Sequence, residues 1–348
     1  MAPTASRLSV VFCVMTNHQP PGTVQVDVDD LWVYYESIGL RAPVGCPSPA
    51  YAQGVPRLLD LFERHGIRAT FFVCGRDAPA QRQVLREMTR RGHEIANHST
   101  WHRPGFARLS SEEKRLDIAT THRLLADAAG VEPLGFKSPG FSFAPDQLDV
   151  LASLGYRYDS SLLPTPYAPL MRMAQRFLSG GAVDPTQYGQ ARHGLAPLRP
   201  YVPHQESPHR PANSAIDCWI APCGRSGNPG TGTRPYPTDP KGTVTVIEAP
   251  VTTMPLVRLP MHSTFVFTIG QPLFDVGLAL AVAGNVPINY LLHAADAIDP
   301  VADPALASYH FLTQPWEEKL ALLDHMLSKL AAAYHLIPTL EYVNAVVR

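Results

Sequence analysis

Apolar and polar residues alternate along the first part of the chain with the periods of strands and helices. The run "TVQVDV" (residues 23–28) is apolar at every second position, as in a β-strand. The next run, "GVPRLLDLFERHG", has apolar residues at helical spacing and ends at Gly66, and the apolar run "IRATFFVCG" follows directly. These patterns predict a strand, a helix and a buried second strand.

The same rhythm continues to about residue 160. The runs "AQRQVLREMTRRG" and "HEIANH" have the patterns of a helix and a strand. Ser110 and Glu113 form a capping box before a helix through "RLDIATTHRLLADAAG", "LGFKSP" is the next strand, and a further helix begins at Pro145 and ends at Gly155. Strands that alternate with helices predict an α/β fold with a mostly parallel sheet, either open or closed into a barrel.

Residues 171–242 interrupt this rhythm with stretches rich in Pro, Gly and Ser, such as "RPYVPHQESPHRPANS". Regular elements resume with "TVTVIEAP" and "STFVFTIG", a helix around "LFDVGLALAVAG", the strand "INYLLH" and a final helix near "PWEEKLALLDHML". We therefore expect a single catalytic domain over residues 1–348, with a core at 23–163 and 243–348 and an irregular Pro/Gly-rich insertion at 171–242.

Composition limits the kinds of partner. The 348 residues are 45% hydrophobic and 17% charged, which is enough for a large core, and the formal net charge of -1 gives no field that would recruit nucleic acid or an anionic membrane. No apolar stretch reaches the roughly 18 residues of a membrane span. The apolar run at residues 8–15 is short for a signal peptide, so we expect a cytoplasmic protein. The five cysteines show no CxxC spacing and are predicted to be reduced thiols.

Candidate chemistry begins at "VDVDD" (residues 26–30), where Asp27, Asp29 and Asp30 follow the first strand. Carboxylates this close repel one another unless a cation or a proton is shared among them. His98 and His102 stand four residues apart directly after another strand, a spacing that lets both imidazoles reach one ion. A metal ion bound by a carboxylate and two imidazoles, with positions open to water, would be a catalytic site.

The positions of these residues strengthen the prediction. In parallel α/β folds, functional residues gather at the carboxyl ends of strands. The aspartates, the two histidines, the "KSPGF" turn and His293 all follow predicted strands. We therefore expect them to meet at one edge of the sheet.

In order and spacing, the motifs "VDVDD", "ATFFVCG", "GHEIANHSTWH", "FKSPGFS", "GYRYDSS" and "YLLH" resemble those of the polysaccharide deacetylases, also called the NodB-homology or carbohydrate esterase family 4 enzymes. The resemblance spans residues 23–163 and resumes from about 243. It implies a distorted (β/α) barrel with fewer than eight strands and one divalent metal, most often Zn²⁺.

The resemblance also implies roles for individual residues. Asp27 would be the catalytic base, and Asp29 would bind the metal together with His98 and His102. In the alternative register, Asp29 would be the base and Asp30 the metal ligand. We take the first register as the prediction.

Three further positions have implied roles. His293 would protonate the departing amine, and Asp159 or a nearby group would orient that histidine. The backbone N–H near Gly140 would help to stabilise the oxyanion. Lys137 stands where the family commonly has an arginine that pairs with the catalytic aspartate, and a lysine cannot form the bidentate fork.

Several alternatives stay open at this stage. Trp32, Tyr34 and Tyr35 would either stack on a sugar ring or fill the core. The leading function is removal of an acetyl group from an N-acetylated sugar, and the alternative is hydrolysis of another C–N bond in a small molecule, as in allantoinase-like or deformylase-like relatives. The expected partner is accordingly a carbohydrate or a small-molecule amide. An inert scaffold is a third possibility, and Lys137 is the feature in its favour.

Overall fold

The computed structural model of the chain describes residues 19–179, 183–204, 207–212 and 245–347. In these ranges, eight strands form one sheet in which every ladder is parallel. The strands are β1 Pro21–Val28, β2 Thr70–Val73, β3 Glu94–Asn97, β4 Gly135–Phe136, β5 Tyr158–Asp159, β6 Ile247–Glu248, β7 Ile288–His293 and β8 His335–Leu336.

The strand order places β1 between β2 and β7, next to one end of the sheet. Seven strands run in the order β6-β5-β4-β3-β2-β1-β7, and the short β8 pairs with the start of β1. Every residue of β1 except its first is buried, which is typical of a parallel strand covered on both faces. Because neighbouring strands are parallel, their carboxyl ends all meet at the same edge of the sheet.

The sheet curls so that its two ends approach each other beyond β6. The backbone N–H of Thr252 donates to the carbonyl of Asn289 in β7 at 2.9 Å, and the Asn289 N–H donates to Thr252 Oγ1 at 2.8 Å. Asn289 Nδ2 also donates to the carbonyls of Ala249 and Pro250 at 2.9 and 3.1 Å. These bonds link the two ends of the curled sheet and confirm the predicted distorted (β/α) barrel. The expected number of fewer than eight strands is wrong, because the two-residue β8 adds an eighth strand beside the start of β1.

Eleven α-helices lie in the described ranges and surround the sheet. They are α1 Leu31–Ser37, α2 Val55–His65, α3 Arg82–Arg90, α4 Ser111–Ala129, α5 Asp146–Ser153, α6 Ala168–Ser179, α7 Ser263–Ile269, α8 Gln271–Ala283, α9 His310–Thr313, α10 Trp316–Ala333 and α11 Thr339–Val346. No helix in these ranges has both the length and the apolar character needed to cross a bilayer.

The main core lies between the sheet and the helices that cover it. It contains Val24, Val26 and Val28 of β1 together with apolar residues of α2, α8 and α10. This packing fixes the face of β1 that carries the three valines, so the polar residues that follow β1 start from a rigid position.

Several sequence predictions are confirmed in detail. The capping box of Ser110 and Glu113 is present at the start of α4, and α2 ends at Gly66 in the left-handed conformation. Helices α1 and α11 were not predicted, and "STFVFTIG" forms α7 although its β-branched residues resemble those of a strand. Tertiary packing overrides local propensity in this segment.

Some predictions fall partly or wholly outside the described residues. These are the apolar run at residues 8–15, the thiols Cys13, Cys218 and Cys223, and the part of the insertion at 213–242. The described start of the insertion is helical, because α6 extends to Ser179. Cys46 and Cys74 are free thiols, as predicted.

We expect Asn289→Asp to destabilise the protein by about 3 kcal/mol or more, because a buried carboxylate would then face the carbonyls of Ala249 and Pro250. The free energy of unfolding in urea measures this. Asn285→Asp, at an exposed position with positive φ that Asp tolerates, is the matched control and should change stability by less than about 0.5 kcal/mol. Equal effects of the two substitutions would show that the bonds of Asn289 do not hold the sheet ends together.

Candidate metal centre and active site

The polar residues that follow four strands come together at one edge of the sheet. Asp27 lies in β1 beside His293 of β7, and the two residues are partners in the ladder register. His98 directly follows β3, and Lys137 directly follows β4. The predicted convergence at the strand ends is therefore present in the structure.

Asp29, His98 and His102 form a group with metal-ligand character. Asp29 Oδ1 lies 3.6 Å from His98 Nε2 and 3.4 Å from His102 Nε2. One ligand atom from each of the three residues lies within 4.8 Å of the others, so a single ion can be reached by all three. A carboxylate oxygen and two imidazole nitrogens are a donor set that suits zinc and similar divalent ions.

Two atoms of this group have no hydrogen-bond partner among the described residues, although they are fully buried. They are Asp29 Oδ1 and His98 Nε2. His98 Nδ1 lies 2.8 Å from the carbonyl oxygen of Lys137, which can only accept, so Nδ1 carries the proton and Nε2 presents its lone pair. A buried carboxylate oxygen facing an imidazole lone pair is unfavourable without a cation, and the residues therefore fit a bound metal ion.

A strained turn holds the two histidines. Ser99 and His102 have φ values of +63° and +44°, in the left-handed region that side chains disfavour. The turn is stabilised by Asn97, whose Oδ1 accepts from the Ser99 N–H at 2.9 Å, and by Ser99 Oγ, which accepts from the His102 N–H at 3.1 Å. Backbone strain of this kind concentrates at functional sites.

The electrostatic state of the group also suits a metal ion. Burial lowers the pKa of His98, and it lowers the pKa of His102 to about 4, so both rings are neutral at neutral pH, as metal ligation requires. Burial raises the pKa of Asp29, and the charge of Asp27 adds to the effect. A cation at this position would reverse that penalty.

Asp27 forms a buried ion pair with Lys137. Lys137 Nζ donates to Asp27 Oδ1 at 2.7 Å and lies 4.3 Å from the centre of the Phe72 ring. Burial by itself would raise the pKa of Asp27, but the charge of Lys137, with smaller contributions from the nearby imidazoles, lowers it overall. The lysine therefore takes the position expected of the arginine and keeps Asp27 ionised, although it contacts only one carboxylate oxygen.

Asp30 has a different function from Asp29. Its Oδ1 accepts from the Leu31 N–H at 2.9 Å and from the Ala50 N–H at 3.3 Å, which makes Asp30 the N-cap of α1. Of the two carboxylates that sequence alone left open as the metal ligand, the structure brings Asp29 to the imidazoles.

His293 has neighbours other than those expected. Its backbone N–H donates to Asp296 Oδ2 at 2.7 Å, and its Nδ1 lies 3.4 Å from Thr264 Oγ1. Asp159 accepts instead from Ser161 Oγ at 2.6 Å and from Gln147 Nε2 at 3.0 Å. The structure therefore does not support the proposed contact of Asp159 with His293. Asp159 lies at the end of β5, on the Lys137 side of the sheet, where its charge favours protonated Lys137.

The aromatic residues after the carboxylate cluster are buried and do not form an open sugar platform. Trp32 Nε1 donates to Asp77 Oδ1 at 3.0 Å, and the Tyr35 hydroxyl donates to Asp303 Oδ2 at 2.6 Å. The exposed aromatic side chain next to the site is Trp101, directly before His102, which is 46% exposed. Of the two open alternatives for these residues, packing inside the fold is correct.

Sequence reasoning missed two residues that lie beside His293, Thr264 and His262. The His262 ring centre lies 6.2 Å from that of His293, and its side chain is almost fully buried. The signal was weak, because both residues lie at the start of α7, a helix that the sequence pattern did not distinguish from a strand. At Gly140, the residue expected to help stabilise the oxyanion, φ is +57°. Its backbone carbonyl accepts a hydrogen bond from the Tyr188 N–H at 2.8 Å.

Comparison with known proteins places these features in a family. The family described as "Polysaccharide deacetylase" matches residues 38–158, a stretch that includes both histidines and Lys137. The chain is 28% identical over 116 residues to the "Peptidoglycan deacetylase" of Helicobacter pylori, a match that covers 33% of this chain and 39% of that protein. These matches place residues 38–158 of the chain in the polysaccharide deacetylase superfamily.

Two further matches extend the comparison. It is 31% identical over 93 residues to the "Peptidoglycan-N-acetylglucosamine deacetylase" of Bacillus cereus, covering 27% of this chain and 34% of that protein. The fold matches the crystal structure of a protein from Mycobacterium smegmatis that is provisionally assigned as a polysaccharide deacetylase. The TM-score is 0.53 at 18% sequence identity, and the match covers 95% of this chain and 91% of the other. The match to the two sequence relatives thus spans well under half of each.

We expect Asp29→Asn to weaken binding of a divalent metal by more than about a hundredfold, because losing even an outer partner of a metal ligand costs roughly 10–100-fold. Asp30→Asn is the matched control, since Asn also caps helices well and should leave metal affinity unchanged. Metal analysis after dialysis and competition with a chromophoric chelator measure the two affinities. Loss of metal in the Asp30 variant with retention in the Asp29 variant would reverse the assignment.

Proposed function

We propose that this chain is a metal-dependent hydrolase that removes an acetyl group from an N-acetylated sugar. The observation that carries the proposal is the position of the Asp29, His98 and His102 group beside the Asp27–Lys137 pair and His293, all at one edge of the sheet. This arrangement puts a metal-binding group, a proton acceptor and a proton donor around one point, as hydrolysis of an amide requires.

The metal would be held by Asp29, His98 and His102, and Zn²⁺ is the ion that this donor set suits best. When bound, such an ion polarises the amide carbonyl and lowers the pKa of water. The chain itself prepares the ligands: the Lys137 carbonyl fixes the tautomer of His98, and burial keeps both imidazoles neutral.

Asp27 is the proposed general base. Its pKa is held low by Lys137, so it is ionised at neutral pH and can accept a proton from the attacking water. Lys137 holds Oδ1, while Oδ2 lies 3.8 Å from His98 Nε2, on the side of the metal-binding group. The carboxylate is thus oriented by one contact and directed towards the reaction centre by the other.

His293 is the proposed general acid. It is the register partner of Asp27 on the neighbouring strand, so the donor and the acceptor lie on the same edge of the sheet. Thr264 contacts its Nδ1, and Asp296 accepts from its backbone N–H, so one neighbouring segment contacts the ring and another holds the backbone of His293. From this position, the imidazole can transfer a proton to the amine nitrogen as the C–N bond breaks.

The substrate class is inferred from relatives and from surface chemistry. Both named relatives act on peptidoglycan, according to their names, and the B. cereus protein on its N-acetylglucosamine. The partly exposed Trp101 lies next to the metal ligand His102, and an aromatic face suits the apolar side of a sugar ring. These observations favour an N-acetylated sugar over a small planar amide.

Acetate release from a panel of N-acetylated sugars tests the proposal. With about one divalent ion per chain, we expect release that stops on addition of a chelator and returns with Zn²⁺. A panel that includes formylated sugars and small ureides separates this function from hydrolysis of another C–N bond. Metal binding with hydrolysis of only a formyl or ureide group would replace the deacetylase proposal, and hydrolysis that is insensitive to the chelator would contradict metal dependence.

The roles of the base and the acid lead to a separate prediction. Asp27→Asn and His293→Ala should each lower kcat by about 10²–10⁴-fold, the usual contribution of general acid–base catalysis, while metal content stays unchanged. His335→Ala, at an exposed histidine outside the site, is the control and should keep full activity. Wild-type turnover in either variant would remove that residue from the mechanism.

A further inference from the structure

His262 lies in the wall of the site at the start of α7. Its ring centre is 6.2 Å from that of His293, 5.9 Å from that of Phe141 and 5.0 Å from that of Phe265. The side chain is 4% exposed. It therefore lies against the proposed general acid, between two aromatic rings.

Neither ring nitrogen of His262 has a hydrogen-bond partner among the described residues, although both are fully buried. Other buried histidines of this chain are satisfied: the Ala69 N–H donates to His93 Nδ1 at 3.0 Å, and the Gln190 N–H donates to His193 Nδ1 at 3.2 Å. A buried polar group left without a partner costs about 1–3 kcal/mol. Because this group lies beside the reacting residues, a bound substrate is a partner that could satisfy it.

The location of His262 limits what that partner can be. Its ring centre lies 6.2 Å from that of His293, and the charges of His293, Asp27 and Lys137 act on it, so the ring lies close to the reaction centre. It is not one of the three residues that form the metal-binding group. Burial lowers its pKa to about 3, so at neutral pH the ring is uncharged, with one N–H donor and one acceptor nitrogen.

We propose that His262 binds the substrate by a hydrogen bond to a hydroxyl of the N-acetylated sugar next to the scissile amide. A hydroxyl both donates and accepts, so it can pair with the imidazole in either tautomer. A charged substrate group would be disfavoured, because a neutral ring between Phe141 and Phe265 offers it no compensating charge. This assignment rests on the proposed function and adds to it a residue that selects the substrate.

His262→Phe and His262→Gln test the assignment through the separation of KM from kcat. Loss of a hydrogen bond made to the bound sugar should raise KM by about 10–100-fold in the Phe variant, and the Gln variant, which keeps a donor and an acceptor, should recover part of this. Sugar affinity measured by NMR titration should fall in parallel. The free Phe variant should unfold at the same temperature as the wild type or higher, because an unsatisfied buried group has been removed.

Monodeoxy analogues of the sugar identify the hydroxyl. One analogue should lower affinity for the wild type but cause no further loss in His262→Phe, since both changes remove the same bond. His93→Gln is the matched control, a buried histidine remote from the site whose replacement should leave KM unchanged.

The outcomes separate the two proposals. A wild type that hydrolyses N-acetylated sugars while His262→Phe keeps the same KM and sugar affinity would overturn the role of His262 alone. An equal penalty from every deoxy analogue in both proteins, or a large loss of stability in the Phe variant, would also assign His262 a structural role. A wild type that neither binds nor hydrolyses any N-acetylated sugar would contradict the proposed function, and the role of His262 with it.

Discussion

Three buried carboxylates at the end of one strand are the constraint on which the site depends. Asp27, Asp29 and Asp30 lie within four residues, and each is almost fully removed from water. Each requires its own compensation. Asp27 has the ammonium group of Lys137, and Asp30 has the first N–H of α1. Asp29 has the neutral imidazoles of His98 and His102 beside it. This unequal distribution is the basis for proposing Asp29 as the metal ligand and Asp27 as the base, with Asp30 as a helix cap.

The sheet topology makes this compensation possible across long distances in sequence. Lys137 is 110 residues from Asp27, and the register of β1 with β7 brings His293 beside the same aspartate. The ends of the sheet are joined through Asn289, which lies four residues before His293 on the same strand. The bonds that link the sheet ends therefore also fix the strand that carries the proposed acid.

Sequence alone predicted the parts of the molecule that local pattern determines. The parallel α/β architecture, the capping box at Ser110 and the convergence of Asp29, His98 and His102 follow from periodicity and from the position of polar residues after strands. The neighbours of His293 could not be predicted in this way. They depend on how far the sheet curls, which brings Thr264 and Asp296 to the histidine and leaves Asp159 among Ser161 and Gln147.

The aromatic residues after the cluster illustrate the same limit. Trp32 and Tyr35 occur where a sugar platform would be expected, but α1 turns them inward, where their polar atoms bond to Asp77 and Asp303. Spacing within a helix tells which residues share a face, but not which face the rest of the fold covers. The position of His262 beside the site could not be predicted for a related reason, since its segment has a composition compatible with both a strand and a helix.

The buried acids behind Lys137 explain why a lysine is sufficient at this position. Burial raises the pKa of Asp159 to about 7, and burial together with the charge of Asp159 raises the pKa of Glu248 well above its usual value. The pair therefore carries at most one negative charge at neutral pH, because two adjacent buried carboxylates do not both ionise. Asp27 is directly bonded to Lys137 at 2.7 Å, while Asp159 is engaged by Ser161 and Gln147. The ammonium group of Lys137 therefore pairs with Asp27 alone, and the bidentate fork of an arginine is not required to keep Asp27 ionised.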